Sequence, residues 1–192
     1  MTEVSIATTR EWDGVTIPEA GTFTIDPAHS NVGFVAKHMM FSKVRGQFPE
    51  VEGTVTLADD PTESTVDVTI KTATVNTGAP DRDQHLRSGD FFDAENHPEM
   101  TFRSSSIRHL GGADFVVTGD LTIRGMAKPV ELAVSFEGTG VNPWGRQVAG
   151  ISARAEVDRE QWGLTWNAAL ETGGVLVGRK VILELEVEGT RA

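Results

Sequence analysis

A chain of 192 residues is long enough for one domain with a sizeable core. Its 17 basic and 28 acidic residues give a net charge of −11, which argues against binding to nucleic-acid phosphates, which needs a basic face, and against an overall electrostatic hold on anionic lipid. With no cysteine there is no disulfide and no thiolate-bound metal.

The N-terminal residues carry neither a basic region nor an apolar run, so a cytoplasmic protein without a signal peptide or membrane-spanning segment is expected. Residues 1–20 read as an N-terminal arm broken by Gly14 and Pro18, with Trp12 placed to pack down. From Gly21 to Ala192 the pattern is that of a single β domain. TFTID (22–26) is short and β-prone, and Pro27 to Asn31 turns the chain. NVGFVAKH (31–38) puts Val32, Phe34 and Ala36 on one face, and KVRGQF (43–48) and VEGTVTL (51–57) follow. After a turn at 58–64, TVDVTIK (65–71) alternates without a break.

The period then changes. DRDQHLRSGDFFDAENHPEMTFR (81–103) is charged, does not alternate, and carries the pair Phe91 and Phe92. Pro80 suits a first helical turn, Asp81 and Asp83 suit its positive end, and Gly89 and Pro98 are stops. A helical insertion near residues 80–97, laid on the sheet as a lid, is predicted. β character resumes at 101–107. It continues through 114–123, 129–136 and 147–157, with DREQWGLTW (158–166) mixing turn and strand and 181–188 closing the chain.

Eight or nine such strands predict an all-β, antiparallel architecture, and closure into a barrel removes the exposed edges of a long sheet. An eight-stranded barrel is either filled by side chains or holds one small ligand, and periodicity alone leaves both open.

IDPAHSNVGFVAKHM (25–39), VRGQF (44–48), RDQHLRSGDFFDAENHPEMTF (82–102), VTGDLTIRGMAKPVEL (117–132) and DREQWGLTW (158–166) together resemble the successive motifs of the YceI-like family. The resemblance covers roughly residues 21–190. It implies a lipocalin-like eight-stranded barrel around a tunnel that takes a polyisoprenoid or other long-chain lipid, of quinone or polyprenyl type, for sequestration, storage or transport without chemistry. Members are often dimers, so a homodimer is a further expectation.

Apolar walls and one end open to a head group suffice for such a ligand. The candidate ligand-binding residues are Phe34, Phe102, Leu121, Ile123 and Trp166 on strand faces, and Leu86, Phe91 and Phe92 on the insertion. Phe41 joins them from the Met39-Met40-Phe41 cluster, and His38, Arg82 and His85 as polar neighbours of a head group. Taken singly, each apolar strand position is more often plain core than ligand contact, and the resemblance turns the set as a whole toward a cavity. His29 is read as the cap of the turn in Asp-Pro-Ala-His-Ser, and His85 as the partner of a nearby carboxylate or carbonyl. No histidine pair has metal-site spacing and no nucleophile motif is present, so neither metal, cofactor nor catalytic residue is expected. Two rivals stand beside the carrier: an enzyme acting on an isoprenoid lipid through His38 and His85, and a filled barrel serving as a stress-response or interaction module.

Overall fold

A computed structural model describes residues 7–192. The strands are β1 (Thr9–Trp12), β2 (Val15–Pro18), β3 (Gly21–Ile25), β4 (Asn31–His38), β5 (Ser42–Gln47), β6 (Val51–Leu57) and β7 (Thr65–Lys71). The helix α1 (Pro80–Arg87) precedes β8 (Glu99–Gly111), β9 (Asp114–Ile123), β10 (Met126–Val141), β11 (Gln147–Asp158) and β12 (Val177–Arg191). All pairings are antiparallel, and β11 pairs with β12 to close the sheet into a barrel.

Two of the eight staves are broken strands. β3 and β4 lie end to end along one edge of β12, Ile25 opposite Gly189 and Asn31 opposite Glu186. The break between them is a 3-10 turn at Pro27–His29, where Asp26 caps the turn by accepting from the Ala28 N–H at 2.9 Å. β5 and β6 are broken at residues 48–50. β6 pairs with β3 and β7, whereas β5 pairs with β4. Beyond β5 the wall is completed by the segment 72–98, which joins it through the bridge between Gln47 and Asn76. The predicted helical insertion is therefore part of the barrel wall. It spans one two-turn helix followed by turns through residue 97.

Alternation is what makes the closed sheet two-faced. Val117, Leu121, Val130, Leu132, Ala153 and Ala155 point inward and are buried. Glycines sit where rings cross strands: a Cβ on Gly119 would lie 2.5 Å from the Phe102 ring, and one on Gly46 would lie 2.3 Å from that of Phe34. Ser104–Ser106 carries a bulge, and its hydroxyls are used, Ser104 Oγ accepting from the Val66 N–H and Ser105 donating to the Thr118 carbonyl.

The N-terminal arm is an ordered hairpin from Thr9 to Pro18, with Trp12 packed down, stacked on Phe115 and 4.3 Å from the His109 ring. One reading is corrected. Beyond Asp158, the last residue of β11, the stretch 159–166 contains no strand. Arg159–Trp162 is a 3-10 turn capped by Asp158, and Trp162 is fully buried with its indole N–H donating to the Leu121 carbonyl at 2.9 Å.

Candidate ligand-binding site

The barrel interior contains a cavity of 230 Å³. An apolar cavity of about 150 Å³ engineered into a protein core already takes a benzene ring, so this one exceeds a packing defect. Its walls come from every stave. Val68, Phe102, Leu121, Leu132, Ala153 and Leu185 illustrate the belt, and Phe34 and Ala36 on β4 extend it toward α1. A second cavity of 140 Å³ lies next along the interior, sharing Ile25, Val66, Val117 and Ile151 as wall. Ile17 and Pro18 of the N-terminal hairpin form part of that second wall, so the hairpin stoppers this end of the barrel. It is fixed there by hydrogen bonds. Buried Gln147 donates to the Thr8 carbonyl and accepts from Arg191, whose guanidinium also reaches the carbonyls of Glu19 and Ala20.

The other end is covered by α1 and the turns after it. Eight residues do not hold a helix alone, and Leu86 is the only large apolar side chain α1 contributes. Polar anchors hold it instead. Asp83, buried, accepts from the Thr77 N–H at 2.8 Å and from its hydroxyl at 2.6 Å. Arg87 donates to the carbonyls of Ala73 and Val75, and Arg124 donates to that of Phe91. The result seats Leu86, Phe91 and Phe92 in the cavity wall.

Among the described residues, Arg159 is the one charged residue lining the larger cavity. It is 6% exposed, and its guanidinium donates to the carbonyls of Gly178, Leu164, Trp166 and Val177. A guanidinium has five N–H groups, so these four bonds leave one over. Burial lowers its pKa from the ordinary value, while the nearby carboxylates of Glu160 and Asp158 act the other way. Sequence reasoning missed this residue. The signal was an arginine inside DREQWGLTW, next to a tryptophan that had to be core.

The structure thus brings together Phe34, Leu86, Phe91, Phe92, Phe102, Leu121 and Ile123 at the cavity. It places the remaining candidates elsewhere. Trp166 and His85 pack edge-to-face 4.5 Å apart, both against Phe91, one layer outside the lining, and His85 bonds the Asp90 carboxylate at 2.7 Å. Arg82 is exposed and donates to the Thr77 hydroxyl and carbonyl. His38 ends β4 opposite Ser42 and Val177. Phe41 is 77% exposed at the tip of the β4–β5 hairpin.

On the outer surface Asp26, His29 and Glu188 converge, with His29 Nδ1 2.9 Å from Asp26 and 3.8 Å from Glu188. The hydrogen bond to Asp26, then the charges of Asp26 and Glu188, raise the His29 pKa, and the same bond lowers that of Asp26. The group is accounted for as the cap of the β3–β4 break.

Fold and cavity together define a lipocalin-like protein: a closed antiparallel barrel with an apolar interior, stoppered at one end and lidded at the other. The chain belongs to the YceI-like family, whose domain model matches residues 23–189. UPF0312 proteins of Staphylococcus aureus are 39% identical to it over 171 residues, covering 86% of this chain and 95% of theirs. Among solved structures it is similar to BcnA of Burkholderia cenocepacia, with a TM-score of 0.75 and 25% identity over 85% of this chain and 98% of that one. It also resembles the YCEI protein of Campylobacter jejuni, with a TM-score of 0.70 and 29% identity over 81% of this chain and 90% of that one. A polyisoprenoid binding domain from Saccharophagus degradans shares the fold at 14% identity, with a TM-score of 0.66 over 91% of this chain and 100% of that one.

Proposed function

We propose that this protein binds a long-chain isoprenoid lipid, of quinone or polyprenyl type, with the tail inside the barrel, and carries or sequesters it without chemical change. The observation that carries this reading is the larger cavity, whose lining is apolar except for Arg159. A tail is held there by area removed from water, at about 25 cal/mol per Å², which rewards length and shape and asks for no specific polar contact. Arg159, at the end covered by α1, is the group suited to a polar head, since its remaining N–H can meet a quinone or phosphate oxygen. The S. degradans domain of the same fold supports the choice of ligand class. Chemistry through His38 and His85 draws no support from their placement, because neither lines the cavity.

The test is native mass spectrometry of freshly purified protein, followed by organic extraction and identification of the lipid. A bound mass in the range of a polyprenyl lipid or quinone is expected. A protein that carries nothing and takes up no added prenyl lipid overturns the proposal.

A further inference from the structure

The tip of the β4–β5 hairpin has no role in the fold that would explain its composition. Met39, Met40 and Phe41 occupy the turn and are 38%, 56% and 77% exposed. Met39 and Met40 both have positive φ, 51° and 69°, in a turn position where Asn and Gly are the usual residues. The loop that follows β11 lies beside them: the Met39 N–H donates to the Leu176 carbonyl, Gly174 abuts the Met40 side chain, and Val175 is exposed. Directly behind this apolar tip, Lys37 and Lys43 stand opposite each other across the hairpin. Like charges in that register repel. Both are exposed, and among the described residues neither takes part in an ion pair, whereas Lys71 and Lys180 each meet a glutamate.

The strand register places the tip at the lidded end of the barrel. His38 is opposite Val177, whose carbonyl accepts from Arg159. From this juxtaposition of an exposed Met-Met-Phe turn, a collar of two unpaired lysines and the lidded mouth, we propose that the hairpin tip docks the protein on an anionic lipid bilayer. The apolar turn enters the interface and the lysines meet the head groups, as short basic-apolar elements do. The net charge of −11 does not forbid this. At physiological salt, charges more than about 8 Å away are largely screened, so the local pair decides the contact. Glu171 on the neighbouring loop and Asp81, Asp90 and Glu95 on the lid are the opposing charges at this end. The inference deepens the lipid-carrier reading and rests on it, since docking at the lidded end sets the cavity mouth beside the source of its ligand.

The experiment is co-sedimentation of the full chain with vesicles of equimolar phosphatidylcholine and phosphatidylglycerol. Uptake of a detergent-dispersed prenyl lipid is measured in parallel without vesicles. Wild type is expected to sediment, and less so on phosphatidylcholine alone or at high salt. The double variant Met40→Asp/Phe41→Asp should lose roughly tenfold or more in vesicle affinity, as expected for losing two interfacial anchors. Lys37→Glu/Lys43→Glu should lose the salt-sensitive part. Both variants should keep dispersed-lipid uptake. Trp144→Ser, which removes an aromatic 78% exposed at the opposite end, should bind vesicles like wild type. No sedimentation of wild type, or sedimentation indifferent to the tip variants, overturns the docking proposal. So does a tip variant that only shifts a monomer–dimer equilibrium in ultracentrifugation, which would assign the tip to a second copy. Vesicle binding without lipid uptake leaves docking standing and removes the carrier reading. Uptake without vesicle binding does the reverse.

Discussion

Arg159 shows how one side chain serves both stability and the site. It ties the turn after β11 and the carbonyls of Leu164 and Trp166 to the start of β12, and among the described residues no carboxylate is bonded to it directly; Asp158 and Glu160 bond Arg179 instead. Replacing it by Met keeps a similar stem but leaves the carbonyls of Gly178, Leu164 and Trp166 without this donor, while that of Val177 still accepts from Asn167. Arg159→Met is expected to cost on the order of 2–4 kcal/mol of unfolding free energy in urea titration. A loss no larger than that of a surface substitution would show that the carbonyls are satisfied otherwise. The pair Asp26 and His29 predicts a pH dependence. His29 has a raised pKa, so its contribution to stability is complete below its ordinary value of 6.5 and is lost as pH rises through the higher folded value. Asp26 has a lowered pKa, so its contribution is complete above 3.8 and is lost as pH falls through the lower folded value. Both are surface groups and the effect is small. Thermal melts from pH 6 to 8 should show a shallow decline in wild type that His29→Gln flattens. The sequence marked the turn and both residues, because Asp-Pro with a following histidine has local turn chemistry. It did not reveal Glu188, which comes from the far end of the chain.

At the scale of elements, alternation exposed the barrel strands because each buries one face only. β4, β6, β7 and β9 have the limits their patterns suggest. β1 and β2 escaped for a physical reason. Each has four residues, and their burial is set by the barrel end they stopper, not by a two-residue period. The lid was legible as a helix but not as a piece of wall, since the break of β5–β6 that it fills depends on pairing between distant strands. Phe41 and His38 were drawn toward the cavity by their apolar neighbours, yet a hairpin that outruns its partners carries its tip outward. Because α1 is held by polar anchors rather than by an apolar face, Arg87→Ala should loosen it alone. Hydrogen exchange should accelerate across residues 80–97 and prenyl-lipid uptake and release should quicken, while the barrel strands stay protected. Uniform loss of protection would show that the lid and the barrel unfold as one unit.

For the whole molecule, occupancy of the cavity should register as stability. A lipid present at a hundred times its dissociation constant adds about 2.7 kcal/mol. For a chain of this size that corresponds to a rise in melting temperature of about 5–10 °C. Differential scanning calorimetry with and without a prenyl lipid measures it, and an unchanged melting temperature at saturating lipid would contradict a cavity-bound ligand. Whether the barrel was filled or hollow was beyond the reach of the pattern. Alternation says that Val68, Leu121 and Leu185 point inward, but not how far the opposite walls stand apart.

The pairing of β3 with β12 joins Phe23 to Arg191, nearly the first and last residues of the barrel. That seam has a consequence in time. Synthesis from the N-terminus makes β3 to β11 before the strand that completes them exists, so the sheet stays open until β12 has left the ribosome. Until then β3 and β11 present unpaired edges and the interior aliphatics meet water. Contacts this distant in sequence also form slowly. A chain stalled or cut before Val177 is therefore a sticky open sheet rather than a smaller barrel, and the cell's holding chaperones are its natural first companions.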